Sequence, residues 1–198
     1  MEDLSKTGRI ELPDASLVFD PNFLPREEAD RLFTVLQEET PWRHDEIRIF
    51  GKTYLQPRLT ALYGNNGNSY SYSGITMEPL PFTPVLRALK AMVEHSCGHE
   101  FTTCLLNLYR NGNDSNGWHA DNEKELGTNP AIASVSLGAV RWFHLKHRWD
   151  KAHSYKMALE PGSLLLMGGS MQHHWVHQVP KTRREVGPRI NLTFRKIL

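Results

Sequence analysis

Ile132-Ala133-Ser134-Val135-Ser136-Leu137-Gly138 and, after Ala139-Val140, Arg141-Trp142-Phe143-His144-Leu145-Lys146-His147 are the stretch on which the fold class turns. Both are short apolar or alternating runs bounded by turn residues, the pattern of strands rather than of helices. Outward from them, residues 101–109, 155–159, 163–167, 174–179 and 189–197 read the same way. So many strands with no intervening helix predict a sandwich, barrel or jelly roll.

Upstream of Gly98 the period changes. Residues 25–40 place Ala29, Leu32, Phe33 and Leu36 at i, i+3, i+4 and i+7, with Glu27 and Glu28 in the first turn, where the helix dipole favours acids. Residues 84–97 predict a second helix, with Thr83 as N-cap, Pro84 at N1, an apolar face of Val85, Leu86, Leu89, Met92 and Val93, and Gly98 as terminator. Segments 45–50 and 53–54 flank Gly51-Lys52, a two-residue hairpin candidate. The expectation is a mainly β, α+β domain.

At 198 residues and 22.7 kDa, with 39% hydrophobic and 23% charged residues, the composition is that of one soluble globular domain. No apolar run approaches the roughly 18 to 20 residues a membrane helix needs, and the first ten residues form no apolar leader. The net charge of +1 conceals an asymmetry: residues 140–198 hold eleven Lys and Arg against three acids, a balance of +8, leaving −7 for residues 1–139. Such a division is a hint of an anionic partner, nucleic acid included. Cys97 and Cys104 follow no ligand spacing and read as inert buried thiols, so the expected compartment is intracellular and reducing.

His119-Ala120-Asp121 follows the loop 111–117, and His173-His174-Trp175-Val176-His177 comes late in the chain. Alternate residues of an extended segment project to one side, so His119 and Asp121 can offer an imidazole and a carboxylate to one ion. A further histidine completes a facial triad; His173, His174 and His177 compete for the place. His177 is preferred because it alternates with apolar residues in an expected strand, whereas His174 also suits a turn or packing on Trp175. Two nitrogens, one carboxylate and three open positions suit Fe(II) that must bind a chelating co-substrate and oxygen.

In Arg189-Ile190-Asn191-Leu192-Thr193-Phe194-Arg195 the polar residues occupy one strand face and the apolar residues the other. Arginines pointed into a barrel, with no acid in the segment, call for an anion, and a dicarboxylate offers two ends for guanidinium recognition. An edge strand with solvated arginines is the alternative.

Together, His119-x-Asp121, His177 and Arg189-x5-Arg195 resemble the AlkB family of Fe(II)- and 2-oxoglutarate-dependent dioxygenases. The resemblance extends in order over Leu105–Tyr109, Ile132–Gly138 and Pro161–Leu165, and spans about residues 47–198. It implies a double-stranded β-helix, or jelly roll, with supporting amino-terminal helices. Residues 1–98 would then supply helices and substrate-recognition hairpins and residues 99–198 the jelly-roll core. It further implies His119, Asp121 and His177 as iron ligands, and Asn107, Tyr109, Arg189, Asn191 and Arg195 around 2-oxoglutarate, with O2 as second co-substrate.

Ile49-Phe50-Gly51-Lys52, Tyr70-Ser71-Tyr72-Ser73-Gly74 and Asp121-Asn122-Glu123 are similar to the branch that repairs alkylated duplex DNA. That likeness implies Phe50 as a wedge filling the gap left by an extruded base, Tyr72 and His119 stacking on that base, Tyr70 and Glu123 at its polar edge, and Arg58 assisting. Extrusion follows from access, because a stacked base cannot reach an enclosed metal. Lys181, Arg183 and Arg184 are candidate phosphate contacts, with Lys146, His147 and Arg148 as a second cluster.

The implied activity is oxidative demethylation of bases of the 1-methyladenine and 3-methylcytosine type, releasing formaldehyde, succinate and CO2. The expected partner is alkylated DNA, duplex included, with RNA or a protein side chain as alternatives from the same chemistry. A monomer without membrane attachment is expected, cytoplasmic in a bacterium and nuclear in a eukaryote. A non-catalytic jelly roll that only holds a metal is the rival from another class. Asn122, where a second acid is frequent in the duplex branch, and Val140-Arg141-Trp142 depart from the usual pattern.

Overall fold

The computed structural model describes residues 1–49, 52–65, 70–72 and 75–198, with backbone alone for 48–49, 70–72 and 75–76. Its strands are β1 (Glu2–Asp3), β2 (Gly8–Leu12), β3 (Ala15–Asp20), β4 (Glu46–Ile49), β5 (Lys52–Leu55), β6 (Leu59–Gly64), β7 (Tyr70–Tyr72), β8 (Ile75–Met77), β9 (Leu80–Pro81), β10 (Thr103–Tyr109), β11 (Asn116–His119), β12 (Ile132–Gly138), β13 (Arg141–His147), β14 (Ser154–Leu159), β15 (Leu164–Gly168), β16 (Trp175–Val179) and β17 (Arg189–Arg195). Helices α1 (Arg26–Glu39) and α2 (Pro84–Cys97) stand where expected, and a short α3 (Met171–His174) and a 3-10 turn (Lys124–Leu126) interrupt the carboxy-terminal strands.

Helix α2 starts where Thr83 Oγ1 accepts the Leu86 N–H at 3.2 Å and stops at Gly98, whose φ of 67° is left-handed. Pro25 and Thr40 have extended ψ angles and lie just outside α1, one residue in from each expected end. The run 174–179 also begins differently. Ser170 O accepts the His173 and His174 N–H groups, which winds that stretch into α3 and leaves β16 to start at Trp175. Lys52 belongs to β5 rather than to the hairpin turn, while Phe50 and Gly51 lie outside the described residues.

One sheet has the order β2-β3-β15-β12-β17-β10-β6-β9 and the other β1-β14-β13-β16-β11, with β4-β5 and β7-β8 as separate hairpins. Pairing is antiparallel apart from β1 with β14 and β6 with β9. Strand β17 is central, held by β12 on one side and β10 on the other, which removes the edge-strand alternative for Arg189 and Arg195.

Between the sheets lies a core of Leu105, Tyr109, Phe143, Leu145, Met157, Leu165 and Trp175. The opposite face of the large sheet packs Leu106, Val135, Leu137, Ile190, Leu192 and Phe194 against Leu32, Leu36, Leu86, Leu89 and Val93 of the helices. Full burial of each such side chain contributes about 1.5–3 kcal/mol. Strands β10 and β17 are therefore buried on both faces, one by the second sheet and one by helices. The result is the jelly roll with supporting helices.

At the β12–β13 turn Gly138 has φ 80°, and a Cβ there would lie 2.5 Å from Pro188 O, so a side chain is excluded both by conformation and by space. Cys97 and Cys104 are free. Burial pushes both thiols up, Cys97 to about 11, so they remain protonated and unreactive at neutral pH. Among the described residues no helix is long and apolar enough to cross a membrane.

Candidate metal centre

His119 closes β11 and His177 lies directly opposite on β16, so strand pairing brings their ring centroids to 4.3 Å. Asp121 follows β11 in extended chain, and its N–H donates to the buried side chain of Gln172 at 2.9 Å. The ligand atoms of His119, Asp121 and His177 all fall within 4.8 Å of one another, with Asp121 Oδ2 3.7 Å from His177 Nε2. The other carboxylate oxygen, Oδ1, accepts from Arg195 Nη2 at 2.6 Å.

The ring states suit a cation. His119 Nδ1 lies 2.8 Å from Gly117 O, which places the proton on Nδ1 and the lone pair on Nε2. Burial pushes His119 down, and burial with the neighbouring His119 and Arg195 pushes His177 down to about 3, so both rings are neutral donors at physiological pH. Burial acts to raise Asp121, but Arg195, His177 and His119 outweigh it and hold the carboxyl at about 2. Two neutral nitrogens and an ionised carboxylate, with a buried His177 Nδ1 that lacks a partner among the described residues, form a donor set that fits Fe(II).

Arg189 sits across the same cavity. Its Nη2 donates to Ser136 Oγ at 2.8 Å and to Asn191 Oδ1 at 2.9 Å, while Nε and Nη1 have no partner among the described residues. Ser134 Oγ also donates to Asn191 Oδ1, whose Nδ2 donates to Thr193 Oγ1, so the polar face of β17 is a connected network. The Arg189 guanidinium carbon lies 5.3 Å from the Tyr109 ring centroid. Burial lowers the guanidinium to about 10, still charged at neutral pH, and no described acid pairs with it. A buried cation with two unused donors calls for an anion, and a carboxylate of 2-oxoglutarate fits that demand.

The cavity brings together Asn107, Tyr109, His119, Asp121, His177, Arg189, Asn191 and Arg195, with Leu105, Phe143, Met167 and Val179 as its apolar lining. Its empty space, open mouth included, is about 480 Å³. The two arginines differ in their partners: Arg195 is paired with Asp121, an acid outside its own strand, whereas Arg189 has no described acid beside it and keeps Nε and Nη1 without a partner among the described residues.

Arg58 is buried and donates through Nε to Asn107 Oδ1 at 2.8 Å, adjoining the cavity. Glu123 is half-buried two residues after Asp121. Tyr70 and Tyr72 lie on β7, where only the backbone is described, and Phe50 falls outside the described residues. Lys181, Arg183 and Arg184 are exposed on a loop bordering a surface depression with Asn111, Gly112 and Asn113. Lys146 is half-buried with Nζ 4.2 Å from the Trp118 ring centroid, and Arg148 is exposed.

Sequence reasoning missed the groups that fix these loops. Arg141 is buried and donates to Asn111 O, Asp114 O and Pro180 O at 3.1, 2.8 and 2.6 Å, joining the loop before His119 to the basic loop. Its signal was its parity with Phe143 and Leu145, an inward position occupied by a charge. Gln172, which orients the Asp121 backbone, carried no such signal.

A model of the 2OG-Fe(II) oxygenase superfamily matches residues 16–195. Bovine alpha-ketoglutarate-dependent dioxygenase alkB homolog 3 is 44% identical over 186 residues, covering 89% of this chain and 64% of that protein. Human DNA oxidative demethylase ALKBH2 is 38% identical over 181 residues, covering 86% and 69%. The chain thus spans just under two thirds of the length of alkB homolog 3. Among solved structures, OsALKBH1 has the same fold at a TM-score of 0.67 and 19% identity, with 91% of this chain and 97% of that one covered. With the superfamily match running from β3 to the end of β17 and these identities covering most of the chain, the protein belongs to the AlkB family of 2OG-Fe(II) oxygenases.

Proposed function

We propose that this protein is a DNA repair dioxygenase that demethylates N-alkylated bases of the 1-methyladenine and 3-methylcytosine type. The observation that carries this reading is the union, in one cavity, of the His119–Asp121–His177 donor set with the buried Arg189 cation. The identity to human DNA oxidative demethylase ALKBH2 supports the substrate class. When bound, Fe(II), 2-oxoglutarate and O2 supply hydroxylation of an N-methyl group coupled to formation of succinate and CO2, and the hydroxylated methyl leaves as formaldehyde.

His119, Asp121 and His177 would hold the ion, while Arg195 neutralises the Asp121 oxygen turned away from His177. Arg189 takes the far carboxylate of 2-oxoglutarate, with Tyr109 against its guanidinium and Asn191 steering one edge of the fork. Leu105, Phe143, Met167 and Val179 exclude water around the reacting groups. Tyr70, Tyr72, Glu123 and Arg58 receive the extruded base, Phe50 fills its place in a duplex, and Lys181, Arg183 and Arg184 hold phosphates beside the mouth. The chain acts as one intracellular catalytic domain and as a monomer.

The test is anaerobic loading with Fe(II) and 2-oxoglutarate, then oxygen, with methylated single- and double-stranded DNA. Formaldehyde release that disappears in His119→Ala and Asp121→Ala is expected; absence of formaldehyde and succinate with every methylated strand sinks the enzymatic reading. Phe50→Ala should lose duplex activity and keep single-strand activity, and unchanged duplex activity refutes the wedge. Methylated RNA in the same assay tests the alternative polymer.

A further inference from the structure

Asp14, His147 and His174 form a second group whose ligand atoms all lie within 4.8 Å of one another, and none of them belongs to the cavity described above. Asp14 Oδ2 is 3.5 Å from His147 Nε2 and 3.5 Å from His174 Nδ1. Donor atoms about 2.0–2.2 Å from a zinc-like ion, as in tetrahedral sites, are separated by similar distances. The His147 side chain is only 9% exposed, yet its buried Nε2 has no hydrogen-bond partner among the described residues and faces Asp14 Oδ2 at 3.5 Å. That atom marks a space for a ligand rather than a satisfied core contact.

The surroundings hold the group in place. Asp14 adopts a left-handed φ of 55° in the β2–β3 turn, a conformation uncommon for a non-glycine residue. Trp175 Nε1 donates to Pro13 O at 2.8 Å and Ser170 Oγ to Asp14 O at 3.1 Å, so the turn is pinned against β16 and the start of α3. His147 pairs with Trp175, whereas Leu145 pairs with His177. The second group therefore lies one inward-facing step, about 7 Å, along the strand pair that carries a ligand of the first.

We propose that Asp14, His147 and His174 form a second metal site, for a divalent transition cation of the zinc type, that ties the β2–β3 hairpin to the ends of β13 and α3. Two imidazoles and one carboxylate match the ligand preference of such ions, and water completes the coordination at the exposed side of Asp14. One rearrangement follows. His147 Nδ1 now accepts from the Asp150 N–H at 3.0 Å, which places the neutral ring's proton on Nε2. Coordination through Nε2 moves that proton to Nδ1 and releases the 147–150 turn, with no net change in charge on the ring. Trp149, 68% exposed and with its ring centroid 5.7 Å from His147 and 5.4 Å from His174, reports the change.

The site is independent of the proposed demethylation and is tested apart from it. Metal-free protein is titrated with Zn(II), with bound metal counted after gel filtration and Trp149 fluorescence followed against a Trp149→Phe control. Two ions are expected in the wild type, one in His119→Ala/Asp121→Ala, and none when Asp14→Asn is added to that background. Asp14→Asn or His174→Ala alone should weaken the second ion by at least about tenfold and leave Fe(II)-dependent turnover unchanged. One ion in the wild type, or a second ion that survives both substitutions, overturns the proposal.

Discussion

Arg195 Nη2 donates to Asp121 Oδ1 at 2.6 Å while Asp121 Oδ2 faces His177 Nε2 at 3.7 Å, so one carboxylate divides between a structural cation and the metal position. Strand β17 thereby supports both ends of the cavity: Arg195 steadies the ligand set and Arg189 presents the free fork.

Arg195→Met leaves the Asp121 carboxylate buried without its cation. Metal-free protein should lose about 3–5 kcal/mol in urea unfolding, the usual cost of breaking a buried pair from one side. Saturating Mn(II) should return part of that loss, because a bound ion supplies the missing positive charge. No change in stability would show that the pair carries little weight.

Arg189→Met should behave in the opposite way. No described acid depends on Arg189, so removing the buried charge should leave metal-free stability near neutral or improved. Affinity for 2-oxoglutarate, measured calorimetrically, should fall by at least about thirtyfold, corresponding to a loss of 2 kcal/mol or more. A large stability loss with intact binding would place the anion elsewhere.

The loop before His119 should be acid-sensitive. Asp114 accepts from Arg110 N and Nε at 2.8 Å and from Nη2 at 2.9 Å; burial raises its carboxyl, but these bonds outweigh burial and lower it overall. Since the folded value lies below the unfolded one of about 4, the stabilisation is complete above that pH and is lost as pH falls through the folded value. Urea midpoints of wild type and Asp114→Asn should differ most at neutral pH and converge in acid.

Gly112→Ala tests the seating of the basic loop. A Cβ there would lie 2.5 Å from Thr182 O, whose own N–H donates to Gly112 O at 2.9 Å. Overpacking should cost about 1–3 kcal/mol and move residues 181–184. KM for methylated DNA should rise while 2-oxoglutarate affinity stays constant; equal changes in both would argue against a role of this loop in holding nucleic acid.

Period and punctuation made much of this protein readable before any coordinates. Helix α2 was legible to the residue because Thr83, Pro84 and Gly98 encode its ends locally. Strands β12 and β13 were equally plain. Strands β3 and β6 were not, because each gains its standing only by pairing with β15 or β10, a long-range contact that no local window contains.

The candidate site divides along the same line. His119, Asp121, His177 and Arg189 were nameable from residue type and spacing, since donor chemistry and strand parity are local properties. Tertiary structure decided which arginine is neutralised by an acid, through the Arg195–Asp121 pair. It also gave Arg141 three carbonyls from two loops and set Asp14 beside His147 and His174. Those relationships join residues far apart in the chain, and only the closure of one sheet over the other brings their atoms within bonding distance.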